Sequence, residues 1–205
     1  MTSPQPLTVF PWTRWDIATF LHMHATASSP AWAIDAAVLI ARWLLVVIIL
    51  VAVWQLLRHR SGAGLLRIVA AWFVSNRIEA LVDTFAFHPR PFAAGYGHAW
   101  MAHAANNSMP SSHATLGLIL VAVMIRQKYY RSAAVVAVLT VALAWSRIYV
   151  GIHWPADMVG ALLSASLSIG VAYAAERLLV LVRHRRWVAR SWARIRHRRH
   201  PAAIG

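Results

Sequence analysis

Residues 132–157 read SAAVVAVLTVALAWSRIYVGIHWPAD. The first half is almost wholly apolar, and then Ser146, Arg147, His153 and Asp157 follow at short offsets. The apolar half reads as part of a membrane-crossing helix. The polar groups that close it would cost several kcal/mol at hydrocarbon depth unless they are paired or used. Two further polar clusters lie upstream, HPRPF at 88–92 and MPSSH at 109–113. Residues of these types are suited to holding a phosphate and transferring it through a histidine.

The rest of the chain fits an integral membrane protein. Its 205 residues are 60% hydrophobic and only 13% charged, where a soluble domain carries about 25%. The first strong apolar run covers 31–57 and stops at Arg58, His59 and Arg60. Others cover about 65–87, from near Ser112 to the Arg126, Lys128 and Arg131 turn, about 132–150 and about 157–182. Segment 8–27 mixes apolar and polar residues and reads as a short interfacial or re-entrant helix. The expected fold is an all-α integral membrane helix bundle of five transmembrane helices plus that short N-terminal helix. Residues 1–182 form the membrane-embedded domain and 183–205 a basic tail.

The net charge is +14, and eight of the twenty Lys and Arg lie in 183–199. Because this tail directly follows a span, it reads as a cytoplasmic anchor contacting anionic lipid and not as a nucleic-acid arm. Arg58, Arg60, Arg67, Arg126, Lys128 and Arg131 mark two further cytoplasmic turns. The three polar motifs then share the opposite, outer face of the membrane. Between His113 and Ser146 lie 32 residues, about 13 per leg once the basic turn is removed, or roughly 20 Å of helix. That is short of a roughly 30 Å core, so the site is expected to sit recessed near the outer headgroups. A lipid could reach it sideways. The first 30 residues lack a basic start followed by an apolar run, so insertion is expected to rely on the first span.

Phosphoryl transfer needs spread positive charge, an in-line nucleophile and an acid for the leaving oxygen. Arg90, stiffened between two prolines, and Arg147 are the candidate clamps. His153 and Asp157, four apart, share a face if a helix starts near Trp154, with Pro155 tolerated in its first turn. A carboxylate on one imidazole nitrogen frees the other to attack phosphorus. Asp157 could equally serve as a cap to that helix. Pro110, Ser111, Ser112 and His113 open a span whose N-terminus can bind an anion, with His113 the candidate acid. No metal spacing emerges from His98 and His103 or from His22 and His24. Asn76, Arg77, Glu79 and Asp83 crowd one span, and internal pairing, for instance of Arg42 with Glu79, is expected there in preference to a proton path or an ion site. Segment 93–109 is the longest loop and a candidate lid. No Cys is present, which excludes disulfides.

Here the residues carry a resemblance. RP at 90–91, PSSH at 110–113 and SRIYVGIHWPAD at 146–157 resemble the three signatures, K-x6-RP, PSGH and SR-x5-H-x3-D, of the type 2 phosphatidic acid phosphatase superfamily. The third is complete. Ser112 replaces a Gly in the second, and Asp83 stands where the first has its Lys. HPRPF, the following G-x-G-H, His103 and NSMPSSH are similar to the bacterial undecaprenyl-diphosphate phosphatase branch. The resemblance implies a metal-independent, cofactor-free enzyme working through a phosphohistidine. His153 would be nucleophile, Asp157 its orienting partner and His113 the acid. Arg90, Arg147, Ser111 and Ser112 would bind phosphate, with Ser146, Asp83 and His88 in support. The implied substrate is an isoprenoid lipid phosphate, whose carrier is recycled for peptidoglycan synthesis with an expected link to bacitracin resistance. The motifs read phosphate and not the tail, so phosphatidylglycerol phosphate or lipid A stay open as substrates, as does phosphotransfer. A transporter or lipid-binding scaffold would instead string polar groups through the bilayer depth.

Overall fold

The computed structural model describes residues 11–199, all helix and connecting loop apart from one isolated bridge between Pro89 and Asn107. The expected residues 8–10 of the N-terminal helix and 200–205 of the tail lie outside the described residues. The order is α1 (Pro11–Met23), α2 (Ala31–Arg58), α3 (Gly62–Phe85), α4 (Ser112–Arg126), α5 (Tyr130–Tyr149) and α6 (Pro155–Arg199).

Many apolar side chains point outward. Trp43, Leu50 and Trp54 on α2, Val138 and Val141 on α5, and Leu163 and Leu167 on α6 are all exposed. Such helices have an apolar solvent on one side and protein on the other. Three are long and apolar enough to cross a membrane: 31–58, 130–149 and the 155–185 part of α6. The two remaining expected spans are less clear-cut. Helix α4 is apolar but has only 15 residues, roughly 22 Å. Helix α3 spends its length on Arg67, Arg77, Glu79 and Asp83 as well as apolar residues.

Helix α4 is the axis of the bundle and packs against α2, α3, α5 and α6. On one side Leu120 and Met124 meet Ile48 of α2 and Val136 and Leu143 of α5. On the other, Ile119 and Val123 meet Ala71 of α3 and Ala165 and Ala172 of α6. Small residues bring the helices close, as in lipid, where dispersion and not water exclusion must hold them. A methyl group on Gly117 would stand 2.6 Å from Thr140 of α5.

Beyond the apolar run to about 182, helix α6 continues unbroken through the basic stretch to Arg199, because that stretch contains no helix breaker. One expectation changes. Arg42 does not pair with Glu79. It lies exposed on the outward face of α2 beside exposed Trp43. Among the described residues the Arg–carboxylate ion pair is instead Arg67 of α3 with Glu176 of α6.

Candidate active site

The chain reverses between α5 and α6 in five residues, and Gly151 makes the turn possible. Its φ is +82°, and a Cβ there would come 2.2 Å from the His98 carbonyl oxygen, so only glycine fits. The turn delivers His153, buried, one residue before Trp154 and the Pro155 that starts α6. Asp157, also buried, sits in the first turn of α6. Its Oδ2 accepts from the Trp154 backbone N–H at 2.8 Å and lies 2.9 Å from His153 Nδ1. The carboxylate therefore closes the helix N-terminus, as a capping box does, and orients the imidazole as well. Ser108 Oγ donates to the same oxygen, and His88 Nδ1 lies 3.3 Å from Oδ1.

With Nδ1–H given to Asp157, the lone pair of His153 is on Nε2. That nitrogen faces two guanidinium groups, Arg90 Nη1 at 3.2 Å and Arg147 Nη2 at 3.5 Å. Arg90 is fixed by donating to the Asn106 side chain at 2.9 Å and to the carbonyls of Ile152 at 2.8 Å and Asn107 at 3.2 Å. Arg147 donates to the Ala41 carbonyl of α2 at 3.2 Å and lies 3.4 Å from His103 Nε2. Two buried polar atoms here have no partner, Arg147 Nε and the Ser111 hydroxyl. Ser111 occupies the N-cap position of α4, yet its side chain makes no capping bond. Buried donors are seldom left unpaired, and both suit an anion. The Ser111 N–H reaches the Asp157 carbonyl at 3.4 Å, which ties the start of α4 to the first turn of α6. Ser112 and His113, both half-buried, are the first two residues of α4. His113 lies within electrostatic reach of Arg147, His153, His103 and Arg90.

The environment sets the charges. Burial pushes the His153 imidazole down to about 4, opposed by Asp157 and reinforced by Arg147 and Arg90. It is neutral, as a nucleophile must be. Burial also lowers the Arg90 guanidinium, which Asp157 and Glu79 partly restore, and lowers the His103 imidazole.

Of the residues singled out by sequence, Arg90, Ser111, His113, Arg147, His153, Asp157 and His88 converge here. Ser146 does not. Its hydroxyl donates back to the Leu143 carbonyl at 2.7 Å inside α5, the usual use of a buried helical serine. Asp83 is exposed on α3 and is not among the hydrogen-bond partners of Arg90; Asn106 holds that side chain instead. Part of the 93–109 loop is tied to the bundle. Trp100 donates its backbone N–H to the Val150 carbonyl and its indole N–H to Ala25.

Sequence reasoning missed four residues. Ser108, Asn106 and Asn107 lie just before PSSH, and their polarity was the available signal. Asp16 of α1 is 1% exposed, and its Oδ1 accepts from the Ala156 N–H at 2.8 Å. It caps α6 from another helix. Burial raises its carboxyl to about 6. A lone acid in an apolar segment was its only mark.

Comparison with known proteins places this geometry. A family model described as the PAP2 superfamily matches residues 64–179. YbjG of Escherichia coli K12, assigned by name as an undecaprenyl-diphosphatase, is 33% identical over 156 residues, 74% of this chain and 78% of its own. Undecaprenyl-diphosphatase BcrC of Bacillus subtilis 168 is 35% identical over 119 residues, 58% of this chain and 61% of its own. LpxE of Aquifex aeolicus superimposes with a TM-score of 0.63 at 16% identity, covering 78% of this chain and 95% of its own. A transmembrane PAP2-type phosphatidylglycerolphosphate phosphatase from Bacillus subtilis gives 0.61 at 15%, covering 83% and 88%. These two likenesses are ones of fold. The family match spans every motif that builds the site, and this membrane protein belongs to the PAP2 superfamily.

Proposed function

We propose that the chain removes the terminal phosphate of undecaprenyl diphosphate, leaving undecaprenyl phosphate, through a phosphohistidine and without a metal. The observation that carries this reading is the two-sided environment of His153: Asp157 on Nδ1 and two arginines on Nε2. The names of the two relatives supply the lipid diphosphate.

Nε2 attacks the terminal phosphorus, and the bond from phosphorus to the bridging oxygen breaks. His113 gives its proton to that oxygen as undecaprenyl phosphate departs. A bound phosphate offsets the two guanidinium charges that face His113. Asp157 balances the positive phosphoimidazolium. Water then attacks phosphorus, His113 takes its proton, and the P–N bond breaks to return the imidazole lone pair and release inorganic phosphate. Arg90, Arg147, Ser111 and Ser112 hold the equatorial oxygens throughout.

In this reading α2 to α6 are five spans, with Arg67 of α3 paired to Glu176 of α6 and Asp83 near the end of its helix. Residues 1–182 form the membrane-embedded unit, and the basic tail from 183 lies at the cytoplasmic side against anionic lipid. The site then faces the outside of the inner membrane. The short α4 leaves its His113 end recessed near the outer headgroups, open to a lipid arriving sideways.

The test is phosphate release by the purified, EDTA-washed chain from undecaprenyl diphosphate, phosphatidylglycerol phosphate and lipid A 1-phosphate in matched micelles. The expected result is the highest kcat/KM on undecaprenyl diphosphate, unchanged by EDTA, with acid-labile radiolabelled phosphate trapped on His153. Label on Ser111, or complete loss with EDTA restored by Mg²⁺, overturns the chemistry. A preference for another lipid overturns the substrate alone.

A further inference from the structure

A second cluster of charge lies at the far end of the bundle. Helix α4 runs from the site at Ser112 to Arg126, and α3 runs the other way, from Gly62 toward His88. Between the distal parts of α3, α4 and α6 is a cavity of about 700 Å³, lined by Arg67, Arg126, Tyr173, Glu176 and Arg177 among others. It shares no residue with the His153 site.

The cavity has the makings of an anion seat. Arg67 is spoken for: it grips Glu176 through two hydrogen bonds of 2.6 and 2.8 Å. Arg126 and Arg177 have no carboxylate within ion-pair distance among the described residues. Three arginines and one carboxylate leave two positive charges over. The Tyr173 ring holds the group together, with the Arg67 and Arg126 guanidiniums 5.6 and 5.8 Å from its centroid. Its hydroxyl is enclosed and without a hydrogen-bond partner. A phosphate oxygen would satisfy it. Glu176 also lines the cavity, and its engagement with Arg67 keeps it from repelling an anion.

Depth identifies the source of that anion. Tyr173 lies 18 residues beyond Pro155 on α6, about 27 Å along the helix, close to the roughly 30 Å thickness of a hydrocarbon core. The cavity therefore meets the headgroup level of the leaflet opposite the His153 site. Val180 and Leu181, one to two turns further along α6, also line the cavity.

We propose that this cavity seats the phosphate headgroup of an anionic membrane lipid, clamped by Arg126 and Arg177 with the Tyr173 hydroxyl donating. This rests on the five-span reading and not on the phosphohistidine chemistry. It differs from diffuse attraction by the basic tail because it is a built site with an orphaned donor.

The test uses the full chain in phosphatidylcholine micelles titrated with phosphatidylglycerol, read by lipid retained in native mass spectrometry and by thermal midpoint. The wild type is expected to retain phosphatidylglycerol and to melt higher with it. Arg126→Gln/Arg177→Gln, with the tail intact, should bind about tenfold more weakly and lose the thermal gain. Tyr173→Phe, which keeps the ring, should weaken binding a few-fold and serves if the double variant folds poorly. Equal retention by all three proteins overturns the site. Arginine-dependent protection by inorganic phosphate in phosphatidylcholine alone, matching that by phosphatidylglycerol, overturns the lipid source. Phosphatase turnover of the variants separates the two proposals, since turnover can persist when this site fails.

Discussion

The two ends of the bundle each hold a carboxylate against a cation-capable group, yet they are built differently. Asp157 is fully buried and takes hydrogen bonds from a backbone N–H and a serine, with two imidazoles beside it. Glu176 has 40% of its side chain exposed and one partner, Arg67. A buried carboxylate with this many partners cannot be changed without leaving uncompensated charge or unsatisfied donors. A rim pair contributes little, because solvent and headgroups screen it. The first arrangement fixes the orientation of an imidazole. The second leaves cations free to meet a mobile anion.

The largest expected effect is at the first end. His153→Ala should lower turnover at least about 10⁴-fold, as loss of a nucleophile does. A variant that keeps more than about a hundredth of wild-type turnover would mean that His153 does not attack phosphorus.

Next comes Asp157→Asn, which keeps the shape but loses the fixed tautomer. A drop of about 10³-fold or more in kcat is expected, by analogy with amide replacement of orienting carboxylates. The same environment makes a pH prediction. With the imidazole pushed down to about 4, His153 stays neutral from pH 7 to pH 5. In ¹⁵N-labelled protein its ring signals should not titrate in that window, and a midpoint near 6.5 would contradict the burial.

How much of this was legible in the sequence depends on distance along the chain. The His153–Asp157 pair was readable because four residues is one helical turn, and Pro155 marked where that turn begins. Both arginines were readable as charges with no place in lipid. Asp16 was not, because it reaches Ala156 across 140 positions, and no local period encodes that contact. Ser146 was over-read. It belongs to a matching motif, but its helix phase turns the hydroxyl to Leu143. The Arg42–Glu79 pair failed in the same way, since composition counted the charges but not the faces they occupy.

Asp16 gives the intermediate prediction. Asp16→Ala removes a cap worth about 1 kcal/mol and should lower kcat several-fold by loosening the start of α6. Asp16→Asn retains an acceptor for the Ala156 N–H and should restore turnover. The carboxyl is raised from 3.8 to about 6, so its contribution to stability is greatest below about 4 and is lost as pH rises through about 6. The wild type should therefore lose ground to Asp16→Asn between pH 4 and pH 6, by about 2–3 kcal/mol at most. Parallel melting curves across that window would remove Asp16 from the account.

At the other end, Glu176→Gln should change stability by no more than about 1 kcal/mol and turnover by less than about twofold. It also leaves Arg67 without its partner, so phosphatidylglycerol should bind at least as well as before. Weaker binding would show that the carboxylate organises the cavity and does more than neutralise one arginine.

The smallest effect is expected at Asp83. It occupies the place of the lysine in the first superfamily signature, so position alone suggests importance. The structure separates position from orientation. Asp83 is exposed near the end of α3, while the loop carrying Asn106 and Asn107 has taken over the support of Arg90. An exposed carboxylate that holds no clamp can be neutralised at a cost within about 0.5 kcal/mol. Asp83→Asn should accordingly keep turnover within about twofold of wild type, and Asn106→Ala should cost more, because it frees one edge of the Arg90 guanidinium. If Asp83→Asn were as inactive as His153→Ala, the carboxylate would have to enter the reaction, and the proton assigned to His113 would need a different source.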